Sequence, residues 1–159
     1  MKIALAADHR GYDVMLHLRS FLHQEGCEVR AWEQSGREVS DYPDVAYPVA
    51  MAVQAGAADR GILVCGSGIG MCIAANKVAG IRAALVHDEI GAEVSRRHND
   101  ANVLCLPADM LGLRIIDRIV IKWLRADFEG GRHARRIRKI AAIESGADPA
   151  TIDARPERV

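Results

Sequence analysis

Five short apolar runs recur along the chain: KIALAA, CEVRAW, GILVC, IRAALV and NVLCLP. They are rich in β-branched or small residues and nearly continuous rather than alternating, so each predicts a strand covered on both faces. Segments with helical spacing separate them. From Val14, VMLHLRSFLHQEG sets Val14, Leu18, Phe21 and Leu22 on one stripe. Gly26 is placed to stop that helix, Pro43 to open the next, and Gly56 and Gly80 to punctuate later ones. LGLRIIDRIVIKWLRADF (Leu111 to Phe128) predicts a long amphipathic helix, EGGRH breaks it, and ARRIRKIAAIE predicts one more. Strands alternating with helices through right-handed crossovers give an α/β fold. The expectation is a three-layer αβα sandwich around a five-stranded parallel sheet, with an extra C-terminal helix. No repeat or linker interrupts the pattern, so 1–145 is expected to be a single domain and 146–159 an irregular tail.

Composition narrows the function classes. The 159 residues are half apolar, and 21 basic side chains balance 21 acidic ones. A balanced chain advertises no basic surface, so no nucleic-acid partner is expected. The apolar start of MKIALAADH meets Asp8 and His9 too soon for a signal peptide, and no run is long enough to span a membrane. Cys27, Cys65, Cys72 and Cys105 form no CxxC pair and read as reduced thiols, hence a cytoplasmic setting. The six histidines show no ligand spacing, so neither a metal nor another cofactor is expected.

Ligands of open parallel sheets bind beyond the C-terminal strand ends. That rule nominates Asp8 and His9 after the first strand, Cys65 to Gly70 after the third and Pro107 to Asp109 after the fifth, with His98 and Asn99 just before the fifth. In CGSGIG the glycines at 66, 68 and 70 match neither a dinucleotide fingerprint, a Walker loop nor a nucleophile elbow. What remains is a strand-to-helix turn whose amides can receive an anion. Cys65 there is either the last buried residue of a strand, a thiol incidental to a phosphate loop, or a catalytic thiol whose pKa the helix N-terminus lowers. Asp8 could cap a helix, and His98-Asn99 could be a polar helix end. Arg132 and Arg136, four apart, share a helix face and could grip one phosphate.

Together, ADHRG (Ala7 to Gly11), SDYPD (Ser40 to Asp44), CGSGIGMCIAANK (Cys65 to Lys77), GIRAAL (Gly80 to Leu85), RRHNDANVL (Arg96 to Leu104) and EGGRHARR (Glu129 to Arg136) resemble the ribose-5-phosphate isomerase B family, which also holds galactose-6-phosphate and allose-6-phosphate isomerases. The resemblance covers roughly residues 1–144, in order. It implies a Rossmann-like homodimer with active sites shared between chains, or a tetramer of such dimers, and a metal-free aldose–ketose isomerisation of a phosphorylated sugar. By that resemblance Cys65 is the base between C1 and C2, and Ser67, where many members carry threonine, assists proton movement. The Gly66, Gly68, Ile69 and Gly70 amides hold the enediolate, and His98 opens the ring. Asp8 and Tyr42 lie near the sugar, Asn99 binds it, and His9, Arg132 and Arg136 hold the phosphate.

Two departures bear on the substrate. Where the family usually has Gly-x-Arg after strand five, this chain has Pro107-Ala108-Asp109, so Arg114 or another base must offset the acid or the substrate differs. After strand two the family often reads Gly-Thr, and here Glu33-Gln34 stands. Three readings stay open: a ribose 5-phosphate isomerase, the same chemistry on another sugar phosphate such as a galactose, allose or tetrulose phosphate, and a non-catalytic flavodoxin-like module that binds phosphate or nucleotide.

Overall fold

The computed structural model describes residues 1–33 and 37–152. Five parallel strands, β1 (Lys2–Ala7), β2 (Glu28–Trp32), β3 (Arg60–Cys65), β4 (Ala83–Leu85) and β5 (Val103–Pro107), form one sheet in the order β2-β1-β3-β5-β4. The helices are α1 (Tyr12–Gln24), α2 (Tyr42–Gln54), α3 (Ile69–Ala75), α4 (Glu89–Asn99), α5 (Leu113–Arg125) and α6 (Arg132–Glu144). This is the expected three-layer αβα sandwich.

Side-chain size along the strands sorts the layers. Ile3 and Leu5 of β1 face a core built with Met15, Leu18 and Leu22 of α1, Ala92 of α4, and Ile116, Ile119 and Trp123 of α5. Ala4 and Ala6 face the other way, towards Val45, Val49 and Val53 of α2 and Met71 and Ala75 of α3. Period-two alternation makes this split automatic. Cys65 belongs to the α2/α3 layer, and α6 packs outside the sandwich, on α4.

Two elements, β4 and α5, are clearly shorter than their sequence patterns, and the tail is more regular than expected. Of IRAALV only Ala83–Leu85 pairs with β5, because the preceding Arg82 amide donates instead to Asn102 Oδ1 at 2.8 Å. The run from Leu111 to Phe128 is helical only over Leu113–Arg125: the Gly112 carbonyl accepts from the Ile115 and Ile116 amides, and Ala126 turns extended. The segment after α6 opens with a 3₁₀ turn, Pro149–Thr151, tied back by Lys139 Nζ donating to the Pro149 carbonyl at 2.9 Å. Residues 153–159 of the expected tail lie outside the described residues. No helix among those described is long and apolar enough to cross a membrane.

Candidate active site

The strand order reverses direction between β1 and β3, where open α/β sheets place their ligand crevice. A cleft of about 300 Å³ sits there, lined by Asp8, Arg10, Tyr42, Cys65, Gly66, Ser67, Gly70 and Asp109. Buried Asp8 does not cap α1, whose N-cap is Gly11 and which has no side-chain cap. Its Oδ1 accepts from the Arg10 and Gly11 amides at 3.0 and 3.1 Å, fixing the turn before the helix.

Each glycine of the Cys65 turn has a steric reason. Gly68 adopts φ +73°, and a Cβ there would lie 2.4 Å from Leu85 Cδ1. A Cβ on Gly70 would lie 2.6 Å from Cζ of Tyr42, whose ring covers that glycine. The left-handed Gly68 swings its amide back onto the thiol, so that Gly68 N–H donates to Cys65 Sγ at 3.1 Å. Ser67 Oγ accepts from the Ile69 amide at 3.4 Å.

The thiol departs from the sequence expectation. Amides of Gly68, Met71 and Ser67 do pull its pKa down, but burial pushes it up more strongly and the Asp8 charge adds to the rise. The net direction is upward, and the turn moderates a desolvation cost rather than producing a low-pKa thiol.

His98 and Asn99 are not at this cleft. The helix α4 runs back across the sheet, and just beyond it the Asn102 carbonyl accepts from the Gly61 amide at 2.9 Å, at the start of β3. Cys65 is four residues further along that strand, about 13 Å at the usual rise. His98 and Asn99 end α4 just before β5, as the sequence places them, and a crossover helix ends beside the N-termini of the strands it connects. Asn99 lines a separate groove with Asn76, Arg82 and Ile140.

Around His98 a second polar cluster forms. Its ring stacks on buried His133 of α6, with centroids 4.1 Å apart and planes 6° from parallel. Glu129 Oε2 lies 3.7 and 3.6 Å from the two Nε2 atoms, and Glu129 also pairs with Arg97. Arg132 Nε donates to His133 Nε2 at 3.3 Å, and Arg136 is exposed one turn on. Desolvation, helped by repulsion from His98, Arg132 and Arg136, lowers the His133 pKa. Spacing along the chain hid the group His98, Glu129 and His133, whose ligand atoms lie within 4.8 Å of one another and could take a metal ion. Its arginine-rich surroundings suit an anion better than a cation.

The remaining nominated residues flank these clusters. His9 Nδ1 accepts from the Ser40 amide at 3.4 Å, and Ile69 is exposed. The base that offsets Asp109 is Arg10, whose Nε and Nη2 lie 2.7 and 2.6 Å from Asp109 Oδ2. Glu33 pairs with Arg19, whereas Gln34 lies outside the described residues. Arg10, Glu129 and His133 were not singled out in the sequence. All three sit inside the quoted motifs, Arg10 in ADHRG and the other two in EGGRHARR, where the motif itself is the available signal.

The family described as Ribose/Galactose Isomerase matches residues 3–140. Ribose-5-phosphate isomerase B of Escherichia coli is 45% identical over 143 residues, covering 90% of this chain and 96% of that protein. D-erythrulose-4-phosphate isomerase of Pectobacterium atrosepticum is 43% identical over 146 residues, covering 91% and 95%. The structure of Clostridium thermocellum ribose-5-phosphate isomerase B superposes with a TM-score of 0.91 at 48% identity, over 92% of this chain and 99% of that one. With a sandwich whose crevice presents a thiol, a serine and a glycine turn, the chain belongs to the Ribose/Galactose Isomerase family. It is an enzyme, a sugar phosphate isomerase of the aldose–ketose kind, and the non-catalytic binding module is set aside.

Proposed function

We propose that the chain interconverts ribose 5-phosphate and ribulose 5-phosphate through a cis-enediolate, with Cys65 as the base. The Cys65 thiolate takes the C2 proton of the open aldose and returns it to C1, while Ser67 moves a proton between the adjacent oxygens. Charge builds on those oxygens only as the proton leaves, and turn amides not engaged by the thiol meet it there. Asp8 and Tyr42 hold hydroxyls of the sugar. No cofactor is needed, because the proton taken from C2 is delivered to C1 and the isomerisation is redox-neutral overall.

One observation carries the arrangement: the thiol cleft and the His98 cluster lie at opposite ends of the strands of the same sheet. Neither half suffices: the residues lining the cleft include no histidine to open the ring and Arg10 alone as a cation for the phosphate, and the His98 cluster holds no thiol base. A homodimer that sets His98, Asn99, Arg132 and Arg136 of one copy against Cys65 of the other supplies both, with His9 at the phosphate end. All four cysteines are free thiols, which supports a reducing, cytoplasmic setting.

A second reading keeps the chemistry and shortens the substrate to a tetrulose 4-phosphate. Asp109 in the cleft and the 43% identity to the D-erythrulose-4-phosphate isomerase favour it. A coupled assay across four- to six-carbon sugar phosphates, run beside Cys65→Ala, decides between them. The highest kcat/KM on ribose 5-phosphate supports the first reading, and the highest on the four-carbon sugar supports the second. Turnover of neither overturns both.

A further inference from the structure

We propose that Arg10 is a phosphate ligand that this chain itself supplies to the Cys65 cleft, with Asp109 as the positioning residue that aims it. Among the residues lining that cleft, Arg10 is the one cation. Both of its bonds to Asp109 end on a single carboxylate oxygen, Oδ2, through Nε and Nη2 at 2.7 and 2.6 Å. A guanidinium carries five N–H donors, so about three remain to face a ligand.

The pair is anchored at both ends. The Arg10 amide donates to Asp8 Oδ1 at 3.0 Å, and the Asp109 amide donates to the Gly66 carbonyl at 3.0 Å. Guanidinium and carboxylate then lie directly over Gly66, where a Cβ would stand 2.7 Å from Arg10 Nε and 2.5 Å from Asp109 Oδ2. That is one residue from the thiol. Side chains this open, 58% and 40% exposed, gain little stability from pairing, so the fold alone gives no reason to hold them there.

A sugar phosphate whose C1 and C2 meet Cys65 carries its dianion a few bonds away, towards the rim of the cleft. Asp109 alone would repel that group. Bound to Arg10, it instead restrains the guanidinium, whose planar donors match two phosphate oxygens at once. Arg10 thus makes up from the cleft side for the acid that stands after β5.

The inference rests on reading the cleft as a sugar phosphate site, and its test is therefore read without turnover. Inorganic phosphate is titrated calorimetrically into the purified protein and into Arg10→Met, Arg10→Lys, Asp109→Asn and Asp109→Ala. Arg10→Met is expected to weaken phosphate at least tenfold, and Arg10→Lys to recover part of that loss. Asp109→Asn, which removes the counter-charge but keeps an oxygen that accepts from the guanidinium, is expected to tighten phosphate about threefold. Asp109→Ala, which also loses the aim, should not. Tightening by Asp109→Ala as large as by Asp109→Asn removes the positioning role. With sugar phosphate, Arg10→Met should raise KM and leave kcat within about twofold. Phosphate affinity unchanged in Arg10→Met, or weakened in Asp109→Asn, overturns the proposal even if isomerase activity is found. Loss of phosphate binding in Arg10→Met by a protein that turns over no sugar phosphate supports it and refutes the isomerase mechanism instead.

Discussion

The imidazole of His98, at the end of α4, lies flat on that of His133 in α6, 4.1 Å away, and Glu129 reaches the Nε2 of both rings. The stack ties the outlying helix to the sandwich, and desolvation with the His98, Arg132 and Arg136 charges lowers the His133 pKa against the opposing pull of Glu129. The unfolded chain therefore binds the proton more readily. Stability should be complete above the ordinary histidine value, about 6.5, and decline as pH falls through it. Denaturant midpoints measured from about pH 7.5 to 5 should show this decline, and His133→Gln should flatten it. An equal slope in the variant would give the decline to other groups.

Cys65 offers a test in the opposite sense. Its pKa lies above the ordinary thiol range, so the thiolate fraction, and with it kcat/KM, should climb as pH rises from about 7 to 9. Asp8 contributes to the rise, so Asp8→Asn should move the limb to lower pH even as it weakens sugar binding. A limb that stays in place would mean that another group is titrating. Cys65→Ala should lose at least ~10²-fold in kcat with the fold intact, by circular dichroism.

Gly68 couples stability to chemistry. Alanine there must take φ +73° and displace Leu85, and we expect a loss of about 1–2 kcal/mol in denaturant melts. The amide that meets Cys65 Sγ moves with it, so kcat should fall even where the variant is fully folded. Wild-type kcat in folded Gly68→Ala would show that the amide's aim does not matter.

Gly70→Ala probes Tyr42. The added methyl would sit 2.6 Å from the phenol ring, which is exposed enough to swing aside. Stability should hardly change, while KM for the sugar phosphate should rise several-fold. Unchanged KM would remove Tyr42 from the binding surface.

The sheet was legible because its central strands β1, β3 and β5 are covered on both faces and have few polar positions to blur them, and alternation of Ile3 and Leu5 with Ala4 and Ala6 already separates the helical layers. Element ends were less so, since single groups decide them, as Asn102 Oδ1 does for β4. At the site, the glycine turn and Cys65 are local and could be read. The Arg10–Asp109 pair spans 99 positions, and the His98–His133 stack joins α4 to α6, so neither leaves a periodic trace. Chain order places His98 at the end of the helix before β5, and a crossover helix ends near the N-termini of the strands, away from Cys65. The sign of the Cys65 shift depends on burial depth, which a turn motif does not encode.

By the proposed mechanism, each working site joins Cys65 of one copy to the His98–Arg136 face of another. Cys65→Ala and Arg136→Ala, each inactive alone, should be unfolded and refolded together in equal amounts. Random pairing makes about half of the dimers mixed, and each mixed dimer regains one intact site of two, so about a quarter of full activity should return. If both residues served a site within one chain, every site would stay broken. Recovery to about a quarter is the predicted result. No recovery, with mixed dimers confirmed by mass, would contradict the shared site.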